Sequence, residues 1–299
     1  MSAVRTYALE LGDLLKSKLR DYTLLVKLRL SFTVVFSSLI AYAVGLQGTM
    51  DYGQLALLFL GGFFITGGAN AINEVLEKDL DKLMNRTKER PLAANRMGVT
   101  EAILAAGIMG IAGISILWYF FNPSAALLGA LSLFLYSFIY TPLKRVSPIA
   151  VFVGAIPGAM PPLIGWVAAT GSIAPVGMAI TALQFLWQFP HFWSIGWISQ
   201  DDYLKAGFRL LPSEEGRGKF TAFQAIAYIM FMIPVSVMPY LFGVTNGVAA
   251  VVMVLAGLVF LAQAIQLFRT CEMKDAKRLM FGSIIYLPVV LIALLMGKI

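Results

Sequence analysis

Asn73, Glu77 and Asp81 recur at i, i+4 and i+8 in the run Asn70-Ala-Ile-Asn73-Glu74-Val-Leu-Glu77-Lys-Asp79-Leu-Asp81. On a continuing helix the three share one face and climb about 12 Å along it. Carboxylates stacked on one helical face repel one another, and cations placed between them relieve the repulsion. Oxygen-only ligands beside substrate phosphates are the surroundings that Mg²⁺ takes. The other reading of the same spacing is a solvated helix end, its acids paired with Lys78 and Lys82. Arg86 and Arg90 follow at once, in Arg86-Thr-Lys88-Glu-Arg90-Pro91, and guanidinium groups fork onto phosphate oxygens. Acids for a metal and arginines for an oxyanion in one segment describe a diphosphate site. Standing alone, the basic run would serve as a topology determinant.

A second cluster repeats the theme: Trp193 and Trp197, then Asp201-Asp202-Tyr203, then Lys205, Arg209 and Pro212. Asp201 and Asp202 are candidate ligands for further metal, and Lys205 a further diphosphate contact. Between the clusters, Tyr140 and Lys144 share a helical face. Tyr136, Tyr140 and Trp193 offer aromatic faces that stabilise a cation when water is excluded; the alternative for each is a lipid- or core-facing ring. The chain has one cysteine, Cys271, and one histidine, His191, so neither an intramolecular disulfide nor a Cys/His metal cluster is available.

The elements that must carry these groups follow from composition. At 59% hydrophobic and 13% charged, with a mean hydropathy of +0.80, the 299-residue chain is too apolar for a soluble protein. Long unbroken apolar runs select helices over a barrel. About 20 apolar residues make a span, and nine candidates occur, near 30–47, 55–76, 99–121, 124–141, 149–170, 174–198, 222–243, 246–268 and 279–297. The expected fold is therefore an all-α polytopic membrane protein of nine transmembrane helices over residues 30–299, preceded by a cytoplasmic amphipathic segment over 1–29. In that segment Leu11, Leu14, Leu15 and Leu19 interleave with Lys16, Lys18 and Arg20, the pattern of a helix lying on the inner leaflet. The nine spans place 22 of the 23 Lys and Arg residues on one side, Lys298 being the exception. By the positive-inside rule the N-terminus and the acidic clusters are cytoplasmic and the C-terminus external. Topology accounts for the net charge of +7 without nucleic acid. Spans two and six are four apart and both end in acids, which suggests a diverged internal repeat.

The order Asn73-x-x-x-Glu77-x-x-x-Asp81, Arg86-Thr-x-x-Arg90-Pro91 and Tyr140-x-x-x-Lys144 resembles the UbiA-type intramembrane prenyltransferases. Gln188-Phe-Pro190-His191-Phe-Trp193, Asp202-Tyr203-x-x-Ala206-Gly207-x-x-Leu-Leu-Pro212 and Gly154-Ala-Ile-Pro157-Gly158-Ala-Met-Pro161-Pro162 are similar to the branch of protohaem IX farnesyltransferases, or haem O synthases. The motifs cover roughly Lys27 to Pro212; beyond them the likeness is in helix number. Two departures stand out. Glu77 occupies a position where the superfamily usually has aspartate, and Ser199 and Tyr203 replace the second Asp-x-x-x-Asp pair, leaving Asp201 and Asp202 nearby. The resemblance implies transfer of farnesyl from farnesyl diphosphate to a vinyl group of haem b, in an inner bacterial membrane, with the active site at the cytoplasmic face. It implies Mg²⁺ on Asn73, Glu77, Asp81, Asp201 and Asp202, diphosphate contacts from Arg86, Arg90, Lys144 and Lys205, and catalytic roles for Tyr140 and Lys144. His191 and Trp193 would meet the haem, with His191 as an axial ligand or, alternatively, as a buried histidine bonded to a neighbouring helix. Membrane lipid and a downstream haem A synthase are the implied partners. A quinone-precursor ring is the rival acceptor. A transporter is disfavoured because the acids gather at one membrane face and not at the midplane.

Overall fold

In the computed structural model, residues 2–213 and 216–299 are described, with side chains described from residue 12 onward. Helices account for the described chain: α1 (Ser2–Leu25), α2 (Leu28–Gly45), α3 (Tyr52–Asp81), α4 (Val99–Phe120), α5 (Pro123–Phe134) continued by a π-helix (Leu135–Tyr140) and α6 (Thr141–Leu143), α7 (Ala150–Thr170), α8 (Pro175–Ile198), the short α9 (Gln200–Lys205), α10 (Lys219–Leu241), α11 (Gly247–Thr270) and α12 (Met273–Met296). Eight of the described segments are long and apolar enough to cross a membrane. The remaining expected span is α8, long enough at 24 residues but made more polar by Gln184, Gln188, Pro190 and His191. The outer face of α4 exposes Ile103, Leu104, Ile108 and Ile111, a surface suited to lipid tails and not to water.

α3 is the structural spine. Asp51 caps its N-terminus by accepting from the Gly53 and Gln54 amides, and its 30 residues extend about 45 Å, more than the roughly 30 Å hydrocarbon core. The surplus carries Asn73, Glu77 and Asp81 in unbroken helix, so their shared face is real. Packing against α4 is close because the seam is built of small residues. A Cβ on Gly113 would come within 2.7 Å of the Gly61 carbonyl, and one on Gly68 within 3.0 Å of the Ala106 carbonyl. Without a hydrophobic force between helices in lipid, such backbone proximity is what holds them.

α7 contains Pro157, Pro161 and Pro162, and an interior proline deprives the carbonyl four residues earlier of its donor. Neighbouring helices make good the loss. Ser132 Oγ donates to the Pro157 carbonyl at 3.2 Å, and Gln184 Nε2 to the Gly158 carbonyl at 2.8 Å. Both carbonyls are the ones that Pro161 and Pro162 free, and each repair ties α7 to a different neighbour.

The C-terminal half of α1 is joined to the bundle by polar contacts. Lys18 reaches both Glu101 oxygens at 2.9 Å, and Arg96 Nε bonds Asp21 at 2.9 Å. Leu14, Leu15 and Leu19 remain exposed, an apolar face in keeping with a helix resting on a leaflet. Arg5 and Leu11 of the expected amphipathic segment lie outside the residues whose side chains are described.

Candidate active site

One cavity unites α2, α3, the 82–98 loop, the π-helix, α7, α8 and α9. With its mouth it encloses ≈ 1000 Å³ of empty space. Its polar lining comprises Lys27, Asn73, Glu77, Asp81, Arg86, Thr87, Arg90 and Lys144; its less polar lining includes Tyr136, Tyr140, Val151, Gly154, His191, Phe192 and Ile195.

Each oxygen donor on the α3 face meets one cation. Asn73 Oδ1 accepts from Lys27 Nζ at 2.8 Å. The Glu77 carboxylate is in contact with the Lys144 ammonium. Asp81 is gripped by Arg90 Nη1 at 2.8 and 2.9 Å. Glu74, one position beyond Asn73, is fully buried, with Arg90 Nε 3.7 Å away. Burial opposes the Arg90 charge, but the Asp81 and Glu74 carboxylates outweigh it and hold its pKa above the ordinary value. Lys27 stands between α1 and α2 in a left-handed turn, φ 48 and ψ 58, an uncommon conformation for a residue with a Cβ. The turn is fixed from α3: Asn70 Nδ2 donates to the Val26 carbonyl at 3.2 Å. Burial, then the nearby Arg90 charge, pushes the Lys27 pKa down, with the Glu74 carboxylate opposing.

The π-helix supplies the aromatic side. Pro142 has no amide to continue an α-helical ladder, and the Thr141 amide bonds five residues back, to the Tyr136 carbonyl. Thr141 Oγ1 also donates to that carbonyl at 2.8 Å and accepts from Asn73 Nδ2 at 3.2 Å, so the turn is locked onto α3. Tyr136 and Tyr140 lie with ring centroids 5.3 Å apart, and Lys144 Nζ sits 4.8 Å from the Tyr140 centroid.

Arg86 reaches the cavity through a second device. Its Nη2 donates to Tyr203 OH at 2.8 Å, with the guanidinium 5.2 Å from that ring. The Asp202 carboxylate accepts from the Asn85 and Arg86 amides at 3.0 and 3.2 Å and from Lys205 at 3.1 Å. The Asn85 amide foremost, with burial opposing, holds Asp202 below the usual carboxylate range.

The UbiA prenyltransferase family matches residues 34–285. A relative from Cytophaga hutchinsonii named Protoheme IX farnesyltransferase is 46% identical over 283 residues, covering 95% of this chain and 99% of its own. The mitochondrial Protoheme IX farnesyltransferase of Arabidopsis thaliana is 34% identical, over 94% of this chain and 65% of its own. The chain belongs to the UbiA prenyltransferase family. Among solved structures, a digeranylgeranylglyceryl phosphate synthase superposes with a TM-score of 0.78 at 19% identity, over 94% of this chain and 98% of the other. A UbiA homologue from Archaeoglobus fulgidus, bound to DMAPP and Mg²⁺, gives 0.73 at 13% identity over 92% and 99%. At such identities the likeness is one of fold.

Within this prenyltransferase fold, the cavity gathers Asn73, Glu77, Asp81, Arg86, Arg90, Tyr140, Lys144 and His191 from the residues singled out in the sequence. Four others lie off its wall. Asp201 is turned outward, its side chain 78% exposed and paired with Arg217 at 2.9 Å. Asp202 serves the loop backbone and Lys205 serves Asp202, so neither faces the α3 donors. The reason is local: α8 stops at Ile198 and α9 restarts at Gln200, and the break redirects everything after it. Trp193 is buried against Phe189 and Tyr228, at centroid distances of 5.4 and 5.2 Å, and packs α8 to α10. Lys27, Thr87 and Tyr203 line the cavity without having been singled out for it. Lys27 was visible as a basic residue in the apolar run Leu24-Leu-Val-Lys27-Leu, and Tyr203 as the residue standing where the family has aspartate.

Proposed function

We propose that this integral membrane enzyme transfers the farnesyl group of farnesyl diphosphate to a vinyl group of haem b, giving haem O and diphosphate. The observation that carries the reading is the cavity itself, whose lining brings cations and oxygen donors together with paired tyrosines and the sole histidine. The Cytophaga relative's name points to the same acceptor. The donor set suits Mg²⁺. Asn73, Glu77 and Asp81 present oxygens on one helical face. Among the described residues no three His, Cys, Asp or Glu side chains converge to hold a metal unaided, and diphosphate oxygens would complete a shell of the kind Mg²⁺ favours. The Archaeoglobus homologue was solved with both DMAPP and Mg²⁺.

Asn73, Glu77 and Asp81 would hold Mg²⁺, which when bound neutralises charge on the departing diphosphate. The residues do the rest. Lys27, Lys144, Arg86 and Arg90 take diphosphate oxygens, the first two and Arg90 releasing their present partners on α3. The C1–O bond breaks with its electron pair on diphosphate, and fixed cations stabilise that charge without reorganisation. Tyr136 and Tyr140 turn ring faces toward the allylic cation, in a cavity whose walls limit water. The vinyl π electrons form the new bond to C1. Water adds to the carbon left cationic and loses a proton, giving a hydroxyethylfarnesyl chain. His191 contacts the haem. The enzyme sits in a bacterial cytoplasmic membrane with the cavity at the cytoplasmic face, and delivers haem O to a downstream haem A synthase.

Expression in cells that lack haem O, followed by chromatography and mass spectrometry of extracted haems, tests the reaction. The expected product is heavier than haem b by one farnesyl group and one hydroxyl. A prenylated aromatic acid with unaltered haem would overturn the acceptor. Asp81→Asn tests the diphosphate site. It retains an oxygen for Arg90, so the protein should stay folded, while transfer falls by about 10²-fold or more from loss of one ligand charge. Full activity in this variant, or in EDTA, would refute a Mg²⁺ site on α3.

A further inference from the structure

His191 lines the cavity from α8, and its ring is held from α12, the helix packed against α8. Nδ1 lies 2.7 Å from Ser283 Oγ, and that hydroxyl lies 2.5 Å from the Met280 carbonyl. A carbonyl only accepts, and a serine hydroxyl has a single hydrogen. The hydrogen is therefore committed to Met280, and Ser283 Oγ can only accept from the ring. Nδ1 must carry the imidazole proton. The same residue steadies the ring from above: Trp187 Nε1 donates to the Ser283 carbonyl at 2.8 Å, and the indole stacks on His191 with centroids 4.7 Å apart and planes 16° from parallel.

We infer that Ser283 is a positioning residue that locks His191 in the Nδ1–H tautomer, presenting the Nε2 lone pair to the iron of the acceptor haem. Nε2 has no hydrogen-bond partner among the described residues. A hydrogen bond to one ring nitrogen is what decides which nitrogen is left to bind a metal, and such outer partners tune ligand orientation and basicity. No water need stand between: the geometry is complete within the protein, so the ring is poised before haem arrives. The second half of the inference rests on the haem reading proposed above; the lock itself does not.

The chain's single histidine makes the test direct. Selective ¹⁵N-histidine labelling of the full-length protein in detergent, without haem, gives resonances of this ring alone. The expected spectrum is that of a neutral imidazole protonated at Nδ1, in the wild type and in Ser283→Thr. In Ser283→Ala it should shift toward the Nε2–H form or an exchanging mixture. A wild-type ring protonated at Nε2, or a Ser283→Ala spectrum identical to wild type, overturns the lock. Titration with haem b then tests the ligand: Ser283→Ala and His191→Ala should weaken binding about 10-fold or more and alter the haem absorption bands. Affinity for farnesyl diphosphate should stay unchanged, which a merely destabilised bundle would not allow. Haem binding indifferent to both variants overturns iron ligation while leaving the tautomer result standing.

Discussion

At the scale of single residues, the sharpest contrast lies between two kinds of carboxylate. Glu77 and Asp81 are buried and face cavity cations, whereas Asp202 spends its oxygens on the Asn85 and Arg86 amides. Its service is mechanical: it fixes the backbone from which Arg86 reaches inward. Lys205 beside it is half exposed, and an exposed pair of this kind contributes little. Asp202→Ala should therefore raise KM for farnesyl diphosphate about tenfold, matching the loss of charge-assisted bonds worth roughly 1.5 kcal/mol or more, with kcat less affected. Asp202→Asn, keeping one oxygen, should fall between. The Mg²⁺ concentration for half-maximal activity should not move; a rightward shift would restore Asp202 as a metal ligand. Because its carboxyl is depressed in the folded state, its hold on the loop is complete above the ordinary carboxylate range. It is lost only as pH falls through the lowered value. KM should consequently show no step from this group between about pH 5 and 8.

At the scale of elements, what the sequence could show depended on whether a helix ran on unbroken. The α3 triad and its arginines were legible because 3.6-residue spacing places side chains wherever a helix continues, and here it continues to Asp81. Asp201 was not, because the interruption at Ser199 rotates the following turn by an amount that spacing does not encode. The π-helix was equally hidden: Tyr140-x-x-x-Lys144 reads the same in α or π form, and Pro142 alone hints at it. Lys27 stands out in the sequence as a basic residue in an apolar run, but its place beside Asn73 depends on the turn between α1 and α2. The π-helix also explains a glycine. Gly154 of α7 lies under the Tyr140 ring, and a Cβ there would meet Tyr140 Cδ2 at 2.5 Å. Gly154→Ala should push that ring toward the cavity and lower the transfer rate severalfold, while adding Tyr140→Leu should make the glycine substitution nearly silent. Such non-additivity is the signature of residues in contact. Strictly additive losses in rate, with both proteins folded, would mean that the ring does not transmit the effect.

At the scale of the whole molecule, the fold has two chemically distinct ends. One holds the acidic clusters and their basic loops. The other is short-looped, and there the single basic residue outside the main set finds its use. Lys298 Nζ donates to the Ala43 and Leu46 carbonyls at 2.9 and 2.5 Å, capping the C-terminus of α2, whose last carbonyls lack helical partners and carry partial negative charge. Asn246 N bonds the Gly297 carbonyl at 2.7 Å, so the C-terminus, the 242–246 turn and the end of α2 lie together. Lys27, at the other end of α2, stands about 27 Å away by helical rise, beside Asn73. The bundle thus sets the C-terminus and the active-site cavity at opposite ends of α2. The positive-inside bias predicts which of the two ends is cytoplasmic. Reporter fusions near residues 50 and 90 should give opposite signals, external for the first and cytoplasmic for the second, and a fusion after Ile299 should match the first. Like signals at 50 and 90 would break the fold's two-ended arrangement. Opposite but inverted signals would leave the fold intact and put the diphosphate site on the wrong face of the membrane for a soluble cytoplasmic supply of Mg²⁺.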